Sequence, residues 1–131
     1  MRVEMSYYTT GAAAYTSLRP THITVSSWSR RNVGAAGVET LFHEAGHALI
    51  ERVQKAIGPG HGTLWHAIIA YTSGEVMRRL VPSLIPYGIQ YGQWTAEWPG
   101  VYPILEKHWK PFLEGNGGFQ DAIARVVKDL S

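Results

Sequence analysis

His43, Glu44 and His47 stand at H-E-x-x-H spacing in the segment His43-Glu44-Ala45-Gly46-His47. On a helix turning by about 100° per residue, positions 43 and 47 project from one side a turn apart, so two imidazoles can ligate one metal ion. Glu44 lies beside them, positioned to reach a metal-bound water and act as its base. Two histidines do not complete a catalytic zinc site, which usually takes three protein ligands and leaves the fourth position to water. The chemistry predicted from this spacing therefore turns on a third ligand elsewhere in the chain.

Two known continuations of the motif point in different directions. The metzincin pattern needs Gly at position 50 and His at 53, where this chain has Ile50 and Val53, and it is excluded. The gluzincin pattern sets its third ligand on the following helix, and counting 18 intervening residues from His47 reaches His66. In this respect the chain resembles the gluzincin clan of zinc metallopeptidases, including small versions with little beyond the active-site core. The likeness covers a strand near 22–28 and two helices between 38 and 80. It implies a zincin-like α+β fold, a bound Zn2+, a peptide or protein substrate, and His43, His47 and His66 as ligands. The clan normally uses Glu at the third position, so His66 is a departure, although three-His zinc centres are sound chemistry.

Three other residues compete for the third place. Glu75 would restore the clan's ligand type, but it follows His66 by nine residues, roughly 900° or half a turn away in direction, so the two cannot face one metal. Glu75 has an alternative partner one turn on, in Arg78 or Arg79. His61 lies in the Gly-Pro-Gly turn. The letters His43 to Ala48 also resemble the zinc helix of membrane-anchored AAA proteases, whose third ligand is a distant Asp, and Asp121 is the position here that would match. No ATPase module, phosphate loop or membrane span accompanies it in this chain.

With zinc on His43, His47 and His66, the expected reaction is attack of zinc-bound water on a peptide carbonyl, with Glu44 first as base and then as acid toward the leaving amine. The tetrahedral oxyanion needs a further donor, and Tyr71, Tyr87, Tyr91 and His22 are the available phenols and imidazole. Tyr87 and Tyr91 sit on a segment able to fold over the site, and Tyr87 is the residue assigned this role. Glu39 and Glu51, each one turn from a ligand histidine, are positioned to orient the imidazoles; Glu51 has Lys55 as an alternative partner. The competing expectation is a metal- or peptide-binding module that keeps the zinc helix without turnover.

The elements that must position these groups follow from periodicity. Ile23, Val25 and Ser27 alternate with Thr24 and Ser26, which predicts a strand over 22–28, able to bind extended substrate along an edge. From Val38, apolar residues recur at three- and four-residue steps, predicting a helix that ends near Ile57 before Gly58-Pro59-Gly60. Thr63 is the expected N-cap of a second helix over 64–80, stopped by Pro82. Residues 82–102 read as an irregular aromatic loop with at most a short helical piece. Pro103 can start a third helix to about Trp109, and Phe119 to Leu130 has helical spacing. The polar, Ala- and Thr-containing N-terminal stretch carries no assigned element.

Composition frames this picture. A chain of 131 residues with 45% hydrophobic and 17% charged residues suits a single domain, 1–131. The formal charge of +2 is small and its cations are scattered apart from Arg30-Arg31 and Arg78-Arg79, which argues against nucleic acid as a partner. Without cysteine, a metal can be held only by His, Asp or Glu. There is no signal-peptide pattern at Met1 to Tyr8 and no membrane-spanning apolar run, so a cytoplasmic location is the default expectation. Oligomeric state is not encoded in any pattern of these residues.

Overall fold

The residues described in the computed structural model are 1–7 and 13–131. Three short strands form one sheet: β1 (Arg2–Ser6), β2 (Ala14–Leu18) and β3 (Thr21–Ser26). Their order is β1-β3-β2, with β1 parallel and β2 antiparallel to β3. The strand predicted over 22–28 is thus the central one, two residues shorter at its C-terminal end. Both of its edges are already paired, which overturns the expectation that it binds substrate along an edge. The register sets Thr16 opposite Ile23 and Ala14 opposite Val25, so these four side chains share one face. Ala14, Ile23 and Val25 form a small buried cluster against Leu41 and Ala45.

Helix α1 (Gly34–Gly46) therefore rests on the sheet, and its start lies four residues ahead of the predicted Val38. The expected continuous helix is interrupted: His47–Leu49 is a 3-10 turn, and α2 (Ile50–Ile57) follows. The Thr16 hydroxyl stands 2.7 Å from the Glu44 backbone oxygen. A side chain inserted at a helix carbonyl is a recognised cause of such local departures from the i→i+4 ladder. Gly58, at φ +80°, ends α2 with its N–H on the Gln54 carbonyl, as the sequence predicts for a glycine at this position.

Helix α3 (Leu64–Leu80) matches its expected bounds. Thr63 does not cap it by side chain; its Oγ1 accepts from Trp98 Nε1 at 3.0 Å instead. The aromatic segment contains two one-turn helices, α4 (Tyr87–Gln90) and α5 (Gln93–Ala96). Then α6 (Val101–Leu113) extends beyond the predicted 103–109 at both ends, and α7 (Phe119–Leu130) lies as expected. Pro103 is the third residue of α6, where its missing N–H is no loss.

The larger core joins α2, α3, α6 and α7 around Ile68, Leu105, Ile123 and Val126, with Trp94, Trp98 and Trp109 at its margins. Each fully buried side chain of this size contributes about 1.5–3 kcal/mol relative to exposure. The architecture is mixed α+β, with α1 between the sheet and α3. That last contact is close because position 46 is glycine: a Cβ there would stand 2.8 Å from Ile69 Cγ2.

Candidate metal centre

Three imidazoles converge where α1, the 3-10 turn and α3 meet. His43 is near the end of α1, His47 opens the turn, and His66 is the third residue of α3. One ligating atom from each can be chosen so that all lie within 4.8 Å of one another. His43 Nε2 and His66 Nε2 are 2.9 Å apart, and ring centroids across the trio are 4.9–5.3 Å apart. Around a tetrahedral zinc with Zn–N of about 2.0–2.1 Å, ligand nitrogens stand roughly 3.3–3.4 Å apart, a figure these separations bracket.

Electrostatics favour the neutral, ligating form of every ring. Burial, reinforced by repulsion from His66 and His47, pushes His43 down to about 3. Burial likewise lowers His47, and burial with repulsion from His47 lowers His66 against the opposing pull of Glu97 and Glu44. His47 Nε2 is buried and has no hydrogen-bond partner among the described residues, which is costly unless something accepts its lone pair or proton. A metal ion at the trio would satisfy it. Trp65 stacks on His66 with centroids 5.0 Å apart and Trp98 meets the same ring edge-on at 5.3 Å, so indoles wall one side of the cluster.

Glu44 is buried beside the trio, its Oε2 2.7 Å from Thr16 Oγ1 and 3.5 Å from His47 Nδ1. Burial raises its pKa, while the Thr16 hydrogen bond and the charge of His66 oppose that rise. A cavity of about 170 Å³ opens here, lined among others by Arg31, Glu39, His43, Glu44, His66 and Tyr87. Tyr87 therefore shares a cavity with two of the three histidines and with Glu44. Its Oη accepts from Arg31 Nη1 at 2.8 Å, and its backbone N–H donates to both Glu39 oxygens at 3.0 and 3.1 Å.

The remaining sequence candidates lie elsewhere. Glu39 is directed to the Tyr87 backbone, correcting its expected role beside an imidazole; burial raises its pKa against that hydrogen bond. Glu51 is exposed on α2. Glu75 pairs with Arg78 on the other side of α3, as half a turn from His66 requires. His61 lines a separate hollow with Gln54 and Trp65, and Asp121 is exposed in the first turn of α7. Tyr71 is buried with its hydroxyl on Glu106 at 2.6 Å, Tyr91 is exposed and packs on Tyr87, and His22 bonds the Pro20 carbonyl.

Two participants were not anticipated from the sequence. Thr16 lies in the stretch without an assigned element, and Arg31 appeared there only as half of a basic pair. The register signal that would have found Thr16 exists only once β2 is paired with β3. A second cavity, about 620 Å³, lies between α1 and the helical core; its lining is apolar apart from Arg52, Thr72 and Ser73, and it includes none of the histidines.

Compared with known proteins, the chain matches no family model, no curated protein and no solved structure. The chain is a mixed α+β protein carrying a three-histidine cluster.

Proposed function

We propose that the protein is a small zinc-dependent metallopeptidase with a zincin-like, gluzincin-like core. The observation that carries this reading is the convergence of His43, His47 and His66 within 4.8 Å, with buried Glu44 on the wall of the same cavity. Imidazole ligands suit zinc, and the absence of cysteine removes thiolate competitors. When bound to these nitrogens, zinc would polarise a carbonyl and bring the pKa of water toward about 7.

The chain's own groups supply the rest. Glu44 takes the proton of the attacking water and passes it to the leaving amine; its buried carboxyl, with a raised pKa, suits a group that must hold a proton between two steps. Thr16 fixes the orientation of that carboxyl from the sheet. Tyr87 offers its phenol to the developing oxyanion, with Glu39 holding its backbone and Arg31 its oxygen. Among the described residues the metal-capable group has three members rather than four, which favours an open catalytic site over a closed structural one.

The test is metal content of the protein purified without added zinc, alongside His47→Ala and His66→Ala, followed by peptide hydrolysis with Glu44→Gln as control. Near-stoichiometric zinc, lost in both histidine variants, with turnover lost in Glu44→Gln, supports the reading. A protein that carries no zinc, or cleaves equally well without Glu44, overturns it.

A further inference from the structure

We propose that Arg31 forms a carboxylate-binding subsite in the cavity beside the three histidines, so that the preferred substrate presents an acidic side chain or a free terminal carboxylate there. The proposal rests on the reading of this cavity as the substrate pocket.

Arg31 lines the cavity, and three contacts hold it. Nη1 donates to Tyr87 Oη at 2.8 Å, and the guanidinium carbon lies 5.7 Å from the Tyr87 ring centroid and 5.3 Å from that of Tyr91. These tyrosines also pack on each other at 4.6 Å, so the exposed cation lies against a pair of packed rings. An arginine held in this way loses less side-chain freedom on binding an anion, and its planar fork matches a carboxylate in bidentate fashion.

No carboxylate among the described residues lies within ion-pair distance of this guanidinium, although two face the same cavity. Glu39 is engaged by the Tyr87 backbone N–H and Glu44 by Thr16. Only one of the guanidinium N–H groups is used in the described hydrogen bonds. Size narrows the ligand further. At about 170 Å³ the cavity is smaller than the 300–1,000 Å³ of pockets for drug-sized ligands. One short side chain or one chain terminus fits that space.

The experiment titrates the full chain, metal-free and zinc-loaded, with three small probes followed by NMR. N-acetyl-glutamate α-amide carries only a side-chain carboxylate, N-acetyl-glutamine carries only a terminal one, and N-acetyl-glutamine amide is neutral. At least one acid is expected to bind about tenfold tighter than the neutral probe, in both metal states. That preference should vanish in Arg31→Met and weaken in Arg31→Lys, with zinc content unchanged. The acid that binds identifies the source of the carboxylate. Equal binding of all three probes, or a preference surviving in Arg31→Met, overturns the proposal. A preference seen only with zinc present also overturns it, because the metal alone would then explain the selection. Peptide hydrolysis is scored separately: Arg31-dependent carboxylate binding without hydrolysis would sink the peptidase reading and leave the subsite standing.

Discussion

Thr16 and Glu44 meet across the interface of sheet and helix, with Thr16 Oγ1 2.7 Å from both the backbone oxygen and Oε2 of Glu44. A hydroxyl has one proton and can also accept, so this geometry serves both states of the carboxyl. When Glu44 is protonated, its O–H donates to Thr16, which donates to the Glu44 carbonyl. When Glu44 is ionised, the Thr16 proton turns to the carboxylate. The carboxyl thus keeps one orientation in both protonation states, as the base and acid role proposed for Glu44 requires.

Thr16→Val removes the hydroxyl at nearly constant shape and should lower peptide turnover by about tenfold. The lost hydrogen bond should also cost about 0.5–1.5 kcal/mol of stability. Thr16→Ser should restore most of both. Turnover is measured beside zinc content, which should stay at the wild-type value; unchanged turnover in Thr16→Val would remove Thr16 from the mechanism.

Glu39, on the wall of the same cavity, holds the backbone of Tyr87. Its carboxylate accepts the first N–H of α4, and it is itself buried at 4% exposure. In Glu39→Ala that N–H loses its partner, a loss of about 1–3 kcal/mol in stability. Because the anchor of Tyr87 is then loose, kcat should fall more than KM rises, whereas Glu39→Gln, which keeps an acceptor oxygen, should recover much of the difference. Steady-state kinetics with urea unfolding of the three proteins checks both parts; an equal effect on kcat and KM would reduce Glu39 to a structural contact.

The meeting of the three histidines was legible because a 3.6-residue period fixes where positions 43 and 47 point, and the Gly58-Pro59-Gly60 turn returns the chain so that α3 runs beside α1. The interruption at His47 was not legible, since His47-Ala48-Leu49 contains nothing that breaks a helix and the hydroxyl that meets the Glu44 carbonyl there belongs to Thr16, 28 residues earlier. β1 alternates Val3 and Met5 with Arg2, Glu4 and Ser6, but a five-residue run takes its place in the sheet only from pairing with β3, and Val3 and Met5, on the face of Ile23 and Val25 by register, stay 51% and 74% exposed. Thr63 looked like a cap until Trp98, distant in sequence, claimed its hydroxyl. In each case the deciding partner is non-local, which is the part of a fold that windowed patterns do not contain.

Gly46 lets the two histidine-bearing helices α1 and α3 approach closely. An alanine methyl would press on Ile69 Cγ2 at 2.8 Å, so Gly46→Ala should push α1 from α3 and destabilise by about 1–3 kcal/mol. His66 then moves away from His43 and His47, and zinc affinity should drop about tenfold or more. Ile69→Ala removes the obstructing branch and should partly rescue zinc binding, making the double variant less impaired than the sum of the two single changes. Competition with a chromogenic chelator measures this directly; strict additivity would place the effect of Gly46 elsewhere.

His43 makes the pH dependence of the metal-free protein predictable in sign. Its folded pKa is pushed down to about 3, against roughly 6.5 when unfolded. Between those values the unfolded chain binds a proton that the folded one excludes. The contribution of this ring is therefore fully present above about pH 6.5 and is lost progressively as pH falls toward 3. Glu39 and Glu44, whose pKa values are raised by burial, act in the opposite sense: their contribution is present below the unfolded carboxyl range and is lost as pH rises through their folded values. Comparison with His43→Asn separates the histidine from these carboxyls. Chelator-treated wild type should lose about 2 kcal/mol more than the variant between pH 7 and pH 5, read from denaturant midpoints. Parallel curves for the two proteins would mean that His43 titrates as an open imidazole and that the cluster is not held in its neutral, metal-ready form by burial.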